Sequence, residues 1–189
     1  MPSPTPAIEV AGLRKRFGPQ TVLDGIDLAV PAGTVTALLG PNGAGKTTTV
    51  SILATLLPAD EGTARVLGYD VARDPQEVRR RIGVTGQLSA VDPLLTVAEN
   101  LRLVADLFHL PRRAAGERTS YLIERFGLAD AARKQGQQLS GGMRRKLDLA
   151  MTLVARPQVV FLDEPTTGLD PRAAAGETGR PPGAGSPRR

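Results

Sequence analysis

Apolar residues along the chain fall into short runs separated by Gly/Pro turns in its first third and into a helical period from Thr96 onward. Between residues 7 and 39 the apolar stretches are interrupted at Gly12, Gly18-Pro19, Asp24-Gly25 and Pro31 to Gly33, a spacing that predicts short strands and hairpins. Val35-Thr-Ala-Leu-Leu39 is a continuous apolar run of the kind that reads as a buried strand, and Thr47 to Leu57 as the helix after it. Thr63 to Leu67, Ile82 to Thr85 and Val159 to Leu162 read as further strands, the last one buried. Thr96 and Glu99 form a capping box ahead of Val97, Leu101, Val104 and Phe108, which share one helical face. A second helix is predicted from about Arg118 to Phe126, with Gly127 as its C-cap. Met143, Leu147, Ala150, Met151 and Val154 make a third apolar stripe, and Ser140 stands where its N-cap should be. Strands alternating with helices predict an α/β chain.

The junction between the Val35 run and its helix carries the first chemistry. It reads Gly40, Pro41, Asn42, Gly43, Ala44, Gly45, Lys46, Thr47 and Thr48, a complete phosphate-binding loop between a predicted strand and a predicted helix. Glycines let the backbone wrap closely around an anion while successive N–H groups and the positive end of the helix face it. Lys46 would reach the outer phosphates and Thr47 would ligate Mg²⁺. Further along, the predicted strand at Val159 ends in Asp163-Glu164. Two acids there are either an exposed turn before Pro165 or, because buried carboxylates need a partner or a metal, a site for Mg²⁺. In the second reading Asp163 is the Mg²⁺ ligand and Glu164 the base that polarises a water. Ser140, Gly141 and Gly142 are either an ordinary capped helix start or a second place where open amides meet an anion.

Leu139-Ser-Gly-Gly-Met143 resembles the signature loop of ATP-binding cassette (ABC) proteins, with Met143 where the commonest form has Gln. The phosphate loop, Gln87, this loop, the acidic strand end and Gly168-Leu169-Asp170 occur in the order of that family, over roughly residues 7 to 172. Val84 to Asp92, Ser140 to Asp148 and Phe161 to Asp170 look most like the daunorubicin-resistance type of drug-efflux ATPase.

The resemblance implies a P-loop ATPase core with an N-terminal antiparallel β subdomain and a helical insertion at about residues 88–155. It implies that Phe17 stacks on adenine, although a Phe at that place is as readily core, and that Gln87 approaches Mg²⁺ and links nucleotide to the helical insertion, although it could be a surface amide. It also implies ATP and Mg²⁺ as ligands and a head-to-tail pair of ATPase subunits, a homodimer being the simplest. In such a pair Ser140, Gly141 and Gly142 of one subunit close over ATP held by the other. Glu164 and Gln87 would then be catalytic. A separate transmembrane permease subunit would dock near Leu88 to Leu95, placing the chain in the cytoplasm at the inner face of the membrane. Two other classes remain: a soluble ABC protein acting on ribosomes or DNA, whose usual second cassette or coiled-coil insertion is not seen, and a fragment that binds nucleotide without turnover.

Composition adds little. The chain has 189 residues, 41% apolar, no cysteine and a net charge of +5, of which residues 172 to 189 supply +3 through four Arg and one Glu. That balance gives no reason to expect nucleic acid, and Arg79 to Arg81 and Arg144 to Lys146 read as solvated helix faces. No apolar run approaches the roughly 18 residues of a membrane span. Residues 1–6 read as a disordered lead-in, without an apolar signal region. Residues 173–189 are rich in Gly and Pro and read as a disordered low-complexity tail. There the resemblance calls for a helix, a strand with a switch histidine and further helices. The only histidine, His109, lies in the helical insertion. The expectation is a core lacking its C-terminal part.

Overall fold

The computed structural model describes residues 6–86 and 90–162. Two long strands, β1 (Ile8–Phe17) and β2 (Gln20–Val30), form one hairpin that turns at Gly18, where φ is +57°. The predicted turns at Gly12 and Gly25 are instead bulges inside this hairpin: the pairing slips between Val10↔Leu28 and Leu13↔Ile26, and again before Arg14↔Asp24. Gly12 and Gly25 take positive φ at those slips, and the Gly12 amide donates to Asp27 Oδ1 at 2.7 Å. A bulge absorbs the extra residue and bends the strand without ending it, which is why glycine signals alone overcounted the hairpins.

β3 (Glu61–Val66) pairs antiparallel with β1, and β4 (Tyr69–Asp70) with β3, giving the sheet order β2-β1-β3-β4. This is the N-terminal antiparallel sheet that the resemblance implied. Helix α1 (Lys46–Leu53) packs under it with Ile52 and Leu53 in a core shared with Leu13, Leu23, Val66, Val78 and Ile82. Helix α1 ends four residues short of Leu57, at a turn that holds Thr55 at φ +62°. After the short helix α2 (Pro75–Arg79), strand β5 (Ile82–Thr85) runs parallel to β6 (Val159–Leu162) in a separate two-stranded sheet.

A second hydrophobic core belongs to the helices α3 (Val97–Leu107), α4 (Arg112–Arg125) and α5 (Gly141–Thr152). The capping box is present: the Thr96 hydroxyl accepts from the Glu99 amide at 3.2 Å, and Glu99 Oε2 accepts from the Thr96 amide at 2.8 Å. Val97 and Leu101 are fully buried, whereas Phe108 lies past the helix end and is half-exposed. Helix α4 starts six residues earlier than its apolar period suggested, because its first turn and a half, Arg112 to Glu117 after Pro111, buries only the small Ala115 and so carries no large apolar residue to mark the period. Gly127 follows it at φ +62°, as a C-cap glycine should.

Two corrections bear on the site. The segment 35–39, expected as a buried strand, has no strand pairing among the described residues and is exposed, with Val35 and Leu39 almost wholly so. A buried strand needs a neighbour at each edge, and among the described residues none pairs with it. Likewise β6 buries only Phe161, leaving Val160 and Leu162 more than a third exposed. One edge of β6 is paired with β5; Val159 to Leu162 and Val35 to Leu38 line one cleft of about 420 Å³.

Candidate functional site

The glycine loop leads directly into α1. Gly43 and Gly45 take φ of +83° and +84°, conformations in which an L side chain is strained. At Gly45 a Cβ would also fall on the Leu23 side chain and come within 3.0 Å of the Val22 carbonyl, so the turn is fixed against β2. Gly45 is the N-cap of α1 and offers no side-chain cap, which leaves the first-turn amides of the helix directed at the loop. The Lys46 ammonium donates to the carbonyls of Gly40 at 2.7 Å and Pro41 at 2.8 Å. Thr49 Oγ1 donates to the Gly45 carbonyl at 2.9 Å and is buried. A cavity of about 310 Å³ is lined by Asn42, Gly43, Gly45, Lys46, Thr47 and Thr48 on one side and by Gln20 and Val22 on the other. Such a concave ring of glycines, a lysine and a helix N-terminus suits a polyphosphate with its cation.

Gln20 and Val22 were not singled out from the sequence. They sit two apart on β2, so alternation puts them on one face, and that period was the available signal.

Phe17 ends β1 and is 47% exposed. Its position is set by an ion pair behind it: Lys15 Nζ donates to Asp60 Oδ1 at 2.7 Å and lies 5.6 Å from the Phe17 ring centroid. The Arg16 amide donates to Asp60 Oδ2 at 2.7 Å. The Lys15 hydrogen bond, then the Arg16 amide, hold the Asp60 carboxyl below the usual aspartate range.

In the helical core Ser140 caps α5, its Oγ accepting from the Met143 amide at 3.2 Å. Gly141 and Gly142 open that helix, and a Cβ at either would meet nothing within 4 Å. Packing among the described residues therefore gives no reason for glycine at these two positions. Of the basic runs expected on solvated faces, several members are engaged: Arg79 with Thr55, Arg81 with Glu77 and the Tyr69 ring, Arg144 with the Gly136 carbonyl and Arg145 with Asp148. Gln87, Asp163 and Glu164 lie outside the described residues, as do 163–189 in full. The structure thus brings the phosphate loop, Gln20 and Val22 together, and sets Ser140, Gly141 and Gly142 on a helix of the other core.

Residues 23–167 match the ABC transporter family model. The chain is 56% identical over 167 residues to the daunorubicin resistance ATP-binding protein DrrA2 of Streptomyces coeruleorubidus, covering 88% of this chain and 52% of that protein. It is 50% identical to the doxorubicin resistance ATP-binding protein DrrA of Mycobacterium tuberculosis, covering 88% of this chain and 51% of that one. The Nod factor export ATP-binding protein I of Ralstonia nicotianae is 44% identical, over 89% of this chain and 53% of its own. The chain thus spans about half the length of the curated relatives it matches. Among solved structures, an ATP-binding subunit of an ABC transporter matches with a TM-score of 0.77 at 30% identity, over 89% of this chain and 70% of that one.

Proposed function

Because the chain belongs to the ABC transporter family, we propose that it binds ATP at the loop from Gly40 to Thr48 and serves as the energy-coupling ATPase subunit of an exporter of hydrophobic, drug-like compounds. The observation that carries this reading is the cavity in which Gly43, Gly45, Lys46 and the start of α1 converge opposite Gln20 and Val22. The efflux assignment draws on the relatives, two of which are named for anthracycline resistance.

Within this reading the loop amides and Lys46 hold the β- and γ-phosphates and half-exposed Phe17 offers a face to the base. Thr47, Gln87 and Asp163 would hold Mg²⁺, which neutralises phosphate charge when bound. Glu164 takes the proton of the attacking water. Ser140, Gly141 and Gly142 meet the γ-phosphate of a second ATPase subunit, and the open space over both glycines supports such an approach. We assign residues 7–172 to the ATP-binding domain and about 88–155 to its helical subdomain. Among the described residues no helix is long and apolar enough to cross a membrane. The transmembrane partner in this reading is a separate permease subunit.

The test is a titration of the folded chain with a fluorescent ATP analogue. Lys46→Ala should weaken binding by at least about tenfold, since a charge-assisted hydrogen bond is worth roughly 1.5–3 kcal/mol. Unchanged affinity would remove the loop from the site. Glu164→Gln should bind as the parent does and abolish whatever hydrolysis the parent shows.

A further inference from the structure

Four positions of β1 turn inward, and the last of them is charged: Ile8, Val10 and Leu13 are followed by Lys15, which is only 8% exposed. A buried ammonium is costly without a partner. Its partner is held as firmly as the lysine itself. β1 runs on past the pair Arg14↔Glu61, where β3 begins, and beyond that pair Asp60 takes the place of a strand. The Asp60 amide donates to the Arg14 carbonyl at 3.0 Å, Oδ2 accepts from the Arg16 amide at 2.7 Å and Oδ1 from Lys15 Nζ at 2.7 Å. On the other side Gly62 lies against β1 so closely that a Cβ there would overlap the Gly12 carbonyl. Asp60 is therefore fixed along β1 by its amide, by its carboxylate and by the chain that follows it.

What the pair holds in place is Phe17. Residues 15 and 17 are same-face neighbours on a strand, and Lys15 Nζ stands over the Phe17 ring, 5.6 Å from its centroid. Phe17 is also the direct partner of Gln20 across the hairpin turn. Paired residues of antiparallel strands send their side chains to the same face, and Gln20 lines the cavity at the glycine loop. The ring therefore stands at the rim of that cavity, with one face under the ammonium and half of the residue exposed. A cation over one face draws the electron density of the ring toward itself and fixes its plane, which leaves one face for a flat, electron-rich ligand. The chain reaches Asp60 from α1, the helix that the glycine loop opens, so the clamp also ties the ring to the loop.

We propose that Lys15, clamped by Asp60, is a positioning residue for the base end of the nucleotide: it sets the plane of the Phe17 ring so that one face receives the purine while the glycine loop holds the phosphates. This inference rests on the reading that ATP binds at Gly40 to Thr48 and adds to it residues that act on the base alone. Lys15 acts through Phe17 and touches no reacting atom.

The experiment is a calorimetric titration of the full chain with MgATP and with magnesium tripolyphosphate, which keeps the phosphates and lacks the base. Lys15→Met fills the space of the lysine stem and removes its charge, and an apolar residue in place of a buried charge is compatible with folding. It should weaken MgATP binding about three- to tenfold, the range for a lost cation–π or stacking contact, and leave tripolyphosphate within about 1.5-fold of the parent. Lys15→Arg, which keeps a cation over the ring, should recover most of that loss. In a Phe17→Ala background Lys15→Met should weaken MgATP by no more than about 1.5-fold further, because the ring through which it acts is gone. An ion pair that only ties the hairpin to the loop would weaken both ligands alike, or weaken MgATP equally with and without the ring. Either result, or unchanged MgATP affinity in Lys15→Met, overturns the positioning role. A parent that binds neither ligand overturns the nucleotide reading and this inference with it. A parent that binds both ligands equally keeps the loop as a phosphate site and overturns the positioning role alone. Should Lys15→Met not fold, Asp60→Asn, which removes the charge that holds the ammonium, should show the same selective loss of MgATP; no loss there, or an equal loss of both ligands, overturns the proposal.

Discussion

The core of α3, α4 and α5 and the segment that leads into the glycine loop both carry large apolar residues, and only the first has a covered apolar core. Val97, Leu101, Ala105, Ala115 and Leu147 are fully buried among one another. Val35, Leu38 and Leu39 stand exposed between Val30 and the glycine loop. The difference lies in where each element finds its partners. A helix satisfies its backbone internally and needs one apolar face covered, which three helices within about sixty residues of sequence supply. A strand in the middle of a sheet needs a neighbour on both edges and cover on both faces. Val35 and Leu38 share the lining of one cleft with β6 but do not pair with it.

The largest test of this contrast is Leu101→Ala. Cavity formation in the helical core should cost about 2–5 kcal/mol, read as a drop in the denaturation midpoint. Thr96→Ala, which removes the cap of α3, should cost about 1 kcal/mol by the same measurement. A smaller effect is expected from Glu99. The Thr96 amide and hydroxyl hold its carboxyl below the usual glutamate value of 4.5. A lowered carboxyl contributes stability that is complete above the unfolded value and lost as pH falls through the folded one. The melting temperature of the parent should therefore fall more steeply below about pH 4.5 than that of Glu99→Gln, and equal acid limbs would show that the bond contributes nothing. Least of all, Leu39→Ser should change stability by no more than about 0.5 kcal/mol, because its side chain is already in water. A large loss there would mean that segment 34–40 is buried in solution and that the two regions do not differ as described.

The same contrast explains what the sequence disclosed. The capping box at Thr96 and Glu99, the Ser140 cap and the stripe from Leu147 to Val154 are local devices, and each is where its pattern put it. The phosphate loop was equally local, because glycine, lysine and threonine at fixed spacing describe one turn of backbone. The strands were legible as apolar runs but not as pairings. Nothing near Val35 in sequence says whether a neighbour will cover it, and nothing near Gly12 distinguishes a bulge from a turn, since both use positive φ. Asp148 and Asn100 escaped notice because their bonds run to Ala90, Asp92 and Leu95, outside the helical periods in which they stand. An acid next to the stripe residues Leu147 and Met151 was the available clue to the first of them.

The most direct test of nucleotide binding at the exposed loop is limited digestion by thermolysin, which cuts beside exposed large apolar residues, in the parent and in Lys46→Ala. The first cut should fall within residues 35–39 and not within α3 to α5, because opening of the helical core needs far more free energy. MgATP in about hundredfold excess over its dissociation constant should slow that cut strongly in the parent, through the roughly 2.7 kcal/mol of linkage such an excess supplies, and should protect Lys46→Ala by no more than about 1.4 kcal/mol at the same concentration, the linkage left after a tenfold loss of affinity. First cleavage inside α3 to α5, or equal protection of parent and variant by MgATP, would contradict the account.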